Sequence, residues 1–264
     1  MQLLTSELGK RGYRWAYRVV DARAFGIPQR RRRVLILASR TEDPRPVLFG
    51  QDEKAPADGS YEEYACGFYW TEGNTGLGLV VDGVPTIKGG SGLGIPSAPA
   101  IWMLDGTFVT PDICDAERLQ GFKPEWTRPA ASVPGLRCGV RWKLVGNAVC
   151  VPMVAWIARR LAKAVDNESW EEVKLSEHAR WPTAGWGDSS GVHKCFVGEY
   201  PLSLPRQRLH KFLQYQPHHL SRRAAMGFRN RLAASRLHYP KELLRDLDQS
   251  LGCGSLNSRH SQVA

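Results

Sequence analysis

Apolar residues fall into three kinds of pattern along this chain. Leu3, Leu4 and Leu8 recur at helical spacing ahead of Gly12, which predicts the end of a helix over residues 1–12. Tyr13 to Asp21 reads as a strand. After the turn formers Phe25-Gly26-Ile27-Pro28, the unbroken run Val34-Leu35-Ile36-Leu37-Ala38 predicts a strand buried on both faces, as in a sheet covered by helices. The chain thus reads as starting in mid-fold. From Thr41 to Ala100 the pattern dissolves: eleven glycines between Gly50 and Gly94, with prolines and short aromatic segments, predict a loop-rich module of short strands. Helical order returns over Pro111 to Phe122 and over Val149 to Val165, where Met153, Trp156, Ile157, Leu161 and Ala164 form one apolar stripe. Pro152 fits only the first turn, so regular helix is expected from Val151 onward. Asp166 to Glu177 is a polar linker, Arg180 to Gly252 mixes tryptophans with a basic helical part, and Cys253 to Ala264 is expected to be a disordered tail.

At 264 residues and 42% hydrophobic content, the chain can hold one sizeable core with an appendage, or two small domains. No stretch reaches the roughly 18 uninterrupted apolar residues of a membrane helix, and no secretory signal opens the chain, so a cytoplasmic location is expected. Cys66, Cys114, Cys138, Cys150, Cys195 and Cys253 lie far apart without a CxxC pair. They are expected to be mostly buried small apolar residues, with no metal site. The net charge of +10 is concentrated in Arg30-Arg31-Arg32-Arg33 and in Arg206 to Arg245, where ten cations meet one acid, Glu242. Such clustering suggests a polyanionic partner; a solvated basic face is the plainer alternative.

Three segments narrow the choice. Phe25-Gly26-Ile27-Pro28-Gln29-Arg30-Arg31-Arg32-Arg33-Val34, then Pro111-Asp112-Ile113-Cys114-Asp115-Ala116-Glu117-Arg118-Leu119-Gln120-Gly121-Phe122, then Arg141-Trp142-Lys143-Leu144-Val145-Gly146-Asn147-Ala148-Val149 resemble the eighth, ninth and tenth motifs of the DNA cytosine-5 methyltransferases, in the family's order and covering roughly residues 1–165. In an extended chain Gln29, Arg31 and Arg33 share one face, with Arg30 and Arg32 on the other. A base inside a duplex must be flipped out before chemistry, and arginine forks suit the distorted phosphate backbone this leaves; the resemblance also lets one of them reach the flipped cytosine. A polybasic patch is the alternative.

The resemblance implies an architectural role for Glu117 and Arg118, as ion-pair members supporting the target-recognition module. It further implies that Asn147, Ala148 and Val149, ahead of the final helix, help complete an S-adenosylmethionine pocket; for Asn147 a plain helix cap is the alternative. Where the family keeps its recognition module stands Val84-Pro85-Thr86-Ile87-Lys88-Gly89-Gly90-Ser91-Gly92-Leu93-Gly94. Thr86, Lys88 and Ser91 are candidates for DNA contact, against an ordinary surface loop. In the basic carboxy-terminal part Arg222, Arg229, Arg236 and Lys241 would add sequence-independent phosphate affinity, unless that helix is merely solvated. Trp181 and Trp186 read as packing residues.

The family's nucleophile, a cysteine after proline, has no counterpart: the six cysteines follow Ala65, Ile113, Arg137, Val149, Lys194 and Gly252. The Glu-Asn-Val segment and the Gly-rich cofactor turn are also absent. The expectation is therefore the DNA-recognition and cofactor-closing half of a DNA (cytosine-5-)-methyltransferase, of the kind used in restriction-modification. It binds double-stranded DNA and S-adenosylmethionine and needs a complementary amino-terminal half; a catalytically dead DNA-binding remnant or regulatory module is the alternative. The expected fold is α/β: the carboxy-terminal part of a doubly wound methyltransferase sheet (1–40, with motif nine and the closing helix at 111–165), a loop-rich β recognition module (41–110), a linker (166–179), a basic helical appendage (180–252) and the tail (253–264).

Overall fold

The computed structural model describes residues 1–72, 76–90, 98–136, 139–163, 169–176 and 178–252. Ser91, Cys138, Ala164, Cys253 and the 253–264 tail lie outside the described residues. The fold is mixed α/β. Its first part runs α1 (Gln2–Lys10), β1 (Arg14–Asp21), a 3-10 turn (Ala22–Phe25), β2 (Gln29–Arg30), β3 (Arg32–Ser39) and α2 (Arg45–Phe49). Short strands follow: β4 (Cys66–Phe68), β5 (Val80–Val81), β6 (Val84–Pro85), β7 (Ala100–Trp102) and β8 (Phe108–Thr110). Then come helices α3 (Ile113–Arg118), α4 (Arg128–Ala131), α5 (Val140–Asn147) and α6 (Val151–Ala162). The chain ends with β9 (Glu172–Lys174), β10 (Ala184–Asp188), β11 (Gly191–Cys195), α7 (Leu209–Phe212), β12 (His218–His219), α8 (Arg222–Ala233) and α9 (Lys241–Ser250).

These elements form two compact units. The first takes residues 1–27, 31–57 and 149–206; the second takes 28–30, 58–148 and 207–264, of which the tail is not described. The stretch 180–252, read from sequence as one appendage, is thus divided: its first part adds strands to unit one and the rest completes the core of unit two.

Unit one is built on an antiparallel sheet in the order β3-β1-β10-β11-β9. Alternation along β1 sends Ala16 and Val20 into a core with Leu48, Phe49, Met153 and Trp156, while Trp15 and Tyr17 pack against Trp181 on the other face. The strand buried on both faces is therefore β1, which lies between β3 and β10. The Val34–Ala38 run, expected in that place, lies in β3, which pairs on one side only, with β1, and leaves Val34 50% exposed. A continuous apolar run records low polarity on both faces but not which edge is paired. Helix α6 starts at Val151 with Pro152 in its first turn. It buries Met153 and Trp156, but Leu161, expected in the apolar stripe, is 59% exposed. The segment Val140–Ala162 has the length and hydropathy of a membrane-crossing helix, yet Ala148 turns extended (φ −65, ψ 156) and splits it into α5 and α6.

Unit two holds the antiparallel sheet β12-β8-β7-β4-β5 and the parallel pair β2-β6. Along β7, Ala100 and Trp102 face a core closed by Phe228, Leu232, Leu243 and Leu247 of α8 and α9. Ile101 faces the opposite core with Val84, Ile87, Leu119, Val145 and Leu209. Helices thus cover one side of this sheet, and Ala116, Leu119 and Val145 abut the other.

Candidate functional site

The proline-glutamine-arginine segment is anchored residue by residue. Gln29 is fully buried in unit two; its Oε1 accepts the Ile87 N–H (3.0 Å) and its Nε2 donates to the Leu119 carbonyl (2.6 Å). Thr86 Oγ1 donates to the Arg30 carbonyl (2.9 Å), beside the β2–β6 pairing. In unit one Arg31 is 3% exposed, and its backbone N–H reaches Asp21 Oδ1 (3.3 Å), a buried carboxylate that also accepts the Arg23 N–H (3.0 Å). Arg33 is half-exposed and donates to the Arg32 carbonyl (2.8 Å), while Arg32 pairs with Glu199. The alternation turns Gln29 and Arg31 inward, and the segment is two short strands rather than one, because Gln29 and Arg30 pair with β6 while β3 begins at Arg32.

Gln29→Ala would leave the buried Ile87 amide and Leu119 carbonyl without these partners. A destabilisation of about 1–3 kcal/mol is expected, read as a lower urea midpoint.

Glu117 is fully buried and accepts three donors through Oε1: the Thr127 N–H (2.8 Å), the Thr127 hydroxyl and Arg141 Nη2 (3.0 Å). Burial works against the Arg141 charge, but Glu117 and Glu125 hold its pKa above the usual value. Arg118 bonds Asp115 Oδ1 (2.6 Å) and stacks on the Phe212 ring at 4.4 Å. Both residues therefore sit in ion pairs, with Arg141 and Asp115 as partners. Sequence reasoning did not single out Gln120 and Asp115. Gln120 is fully buried and donates to the Val145 carbonyl (2.8 Å); Asp115, also buried, accepts the Gln214 and Tyr215 N–H groups (3.1 and 3.0 Å). Neither stands out locally, because the same segment also holds Asp112, Glu117 and Arg118.

The Gly-Asn-Ala segment forms the end of α5. A Cβ at Gly146 would lie 2.2 Å from the Lys88 carbonyl carbon and 2.2 Å from the Gly89 nitrogen, and one at Gly89 would lie 2.5 Å from Asn147 Oδ1. Two glycines thus let the 86–90 loop lie directly on the helix end. Asn147 is exposed, Ala148 is extended, and Val149 is 60% exposed. Asn147 does not cap α6, whose N-cap is Cys150. On the loop, Lys88 pairs with Glu72 and lies 4.1 Å from the centre of the Tyr69 ring, whose hydroxyl donates to the Thr86 carbonyl (2.8 Å).

Cys66, Cys114, Cys150 and Cys195 are buried. Burial pushes the Cys66, Cys114 and Cys195 thiols up to about 12 and raises Cys150 as well, the reverse of what a thiolate nucleophile needs. Among the described residues no group of three or more His, Cys, Asp or Glu is placed to hold a metal ion. Trp181 and Trp186 pack inside unit one: Trp181 on Trp15 and Tyr17, Trp186 on His193 (4.4 Å) with its indole N–H on Glu172 (2.9 Å).

Comparison with known proteins bears on this arrangement at two scales. The sequence model of the C-5 cytosine-specific DNA methylase family matches residues 1–64. Over 258 residues the chain is 42% identical to a protein of Bacillus subtilis (strain 168) named Type II methyltransferase M2.BsuMI. The match takes in 94% of this chain and 66% of that relative, so the chain spans just under two thirds of the relative's length.

Proposed function

Because this chain belongs to the C-5 cytosine-specific DNA methylase family, we propose that it is the DNA-recognition and cofactor-closing half of a DNA (cytosine-5-)-methyltransferase, acting in the cytoplasm with a complementary amino-terminal half. One observation carries the reading. A buried amide network joins all three motif segments to the 86–90 loop: Gln29 holds Ile87 and Leu119, Gln120 holds Val145, and Gly146 lies beneath Lys88 and Gly89. A network of satisfied buried amides fixes one geometry, as a surface that reads a duplex requires.

Thr86, Lys88 and Ser91 are the DNA-contact residues of this reading, and Arg33 holds the distorted backbone around the flipped cytosine, with the buried Gln29 and Arg31 as supports. S-adenosylmethionine, the family's cofactor, supplies the methyl group when bound. The end of α5 offers it one group, the exposed Asn147 carboxamide. β1, β3 and α6 are read as the last strands and closing helix of a doubly wound methyltransferase sheet. Among the described strands β3 pairs on one side alone. Its outer edge presents backbone N–H and C=O groups that a complementary half would pair.

The test is methyl transfer from labelled S-adenosylmethionine to mixed-sequence duplex DNA. The chain alone should be silent, and the chain mixed with a half carrying Pro-Cys and Glu-Asn-Val should be active. Activity of the chain alone, or silence of the mixture when both parts are folded, would contradict the proposal.

A further inference from the structure

The α8–α9 hairpin is folded into the recognition unit, yet the three-motif network does not use it. Its acids are all taken up: Asp246 accepts the Trp102 indole N–H (2.9 Å) and Glu242 meets the Tyr61 hydroxyl (3.4 Å) of the body, while Asp248 bonds Arg229 (2.8 Å) within the hairpin. Its outer cations have no such neighbours. Arg222, Arg223, Arg236 and Lys241 are exposed, and none makes an ion pair among the described residues. Anions inside and cations outside leave a one-signed surface, which repels itself unless a polyanion lies against it. Arg229, one of the four cations the sequence suggested, is instead committed to Asp248.

Spacing narrows the partner. Arg222 lines a cavity of about 420 Å³ with Gln249, Ser250 and Leu251, so the start of α8 lies beside the end of α9. Arg236 and Lys241 lie at the hairpin's other end. The 12 residues of α8 separate the two pairs by about 18 Å at 1.5 Å per residue. That distance reaches both phosphate rows bordering a major groove about 12 Å wide. The hairpin is also tied to the reading loop: Arg231 Nη2 donates to the Trp70 carbonyl (2.7 Å), and the adjoining Tyr69 underlies Lys88 and holds Thr86.

We propose that the α8–α9 hairpin is a second duplex-DNA surface, independent of base sequence, which holds backbone phosphates through Arg222, Arg223, Arg236 and Lys241. It rests on the reading that this chain binds DNA, and it needs no methyl transfer.

The experiment is the fluorescence anisotropy of labelled duplexes of two unrelated sequences, titrated with the full chain over a range of salt. Each phosphate contact steepens the dependence of log affinity on log salt by about 0.9. The variant R222Q/R223Q/R236Q/K241Q should flatten that slope by about two to four on both duplexes. The control K10Q/R11Q/K163Q/K174Q, of equal charge change on exposed positions of unit one, should leave it as in the wild type. The paired variants R222Q/R223Q and R236Q/K241Q should each give about half the effect and replace the fourfold variant if it does not fold. An unchanged slope, an equal loss in the control, or a loss on one duplex alone would overturn the hairpin's role. A wild-type chain that binds neither duplex at low salt would overturn both this role and the DNA-binding reading.

Discussion

In the proposed two-part enzyme, Gly146→Val is expected to lower methyl transfer roughly 100-fold or more, with the amino-terminal half unaltered. The first added carbon would lie 2.2 Å from both the Lys88 carbonyl carbon and the Gly89 nitrogen. Ordinary contact begins near 3.4 Å, so the loop must retreat by more than 1 Å. Backbone cannot swing aside as a flexible side chain can, and a displacement of about 1 Å at a positioning element is enough for roughly a hundredfold loss. The loop carries Thr86 and Lys88, and the displaced helix end carries Asn147, so DNA affinity and cofactor use should fall together. Gly146→Ala should act in the same direction with smaller effect, since the branched valine adds two further carbons. Overpacking of this kind destabilises by about 1–3 kcal/mol, so chemical denaturation should still show a folded chain. Wild-type transfer by Gly146→Val would mean that the loop and α5 are not held as described.

Arg18→Leu should have the largest effect on stability, about 3–5 kcal/mol, confined to unit one. The Arg18 side chain is fully buried in β1 and gives four bonds: Nε to the Gly198 carbonyl (2.8 Å), Nη1 to the Leu48 and Gln51 carbonyls (2.8 and 2.5 Å), and Nη2 to Asp52 (2.6 Å). Burial pushes its pKa down to about 10, with the Asp52 charge acting against the fall. One guanidinium thus joins β1 to the end of α2 and to the turn after β11. Leucine would leave three carbonyls and a carboxylate without their donor. Lysine should rescue little, because a single ammonium cannot reproduce the fork. Hydrogen exchange of the β1 and α2 amides under urea reads unit one directly; a change below about 1 kcal/mol would show that water replaces the lost donors.

Much of this was legible from residue order alone. The helix stop at Gly12, the strand ending at Asp21 and the start of α6 at Val151 follow from local spacing, which is what a sequence records, and the three motif segments from their resemblance to the family. The period of an extended chain places Gln29, Arg31 and Arg33 on one face, but that face was expected to grip a DNA backbone, and Gln29 and Arg31 are buried instead. Partners distant in sequence were not legible. Lys88, singled out as a candidate for DNA contact, pairs with Glu72, and Arg229 with Asp248. β3 was expected to be buried because its residues are apolar, but only the pairing of β10 with β1 decides that β1 is central. The division of 180–252 between two units was hidden for the same reason: Ala184 and Phe228 are both apolar, and nothing local tells which core each joins. Gln120 stood within a recognised motif, yet its bond to Val145 spans 25 residues.

In the proposed division of labour this chain reads DNA while another half supplies the attacking thiol. Its most direct test uses a duplex in which the target cytosine carries fluorine at C5. After a thiol adds to the ring and the methyl group transfers, no proton remains at that carbon to be removed, so the enzyme stays covalently attached. With S-adenosylmethionine and both halves present, the labelled DNA should migrate after denaturation with the complementary half and never with this chain, whose described thiols are buried and held protonated. Omitting this chain should abolish the adduct. An adduct on this chain, or one formed equally well in its absence, would contradict the claim.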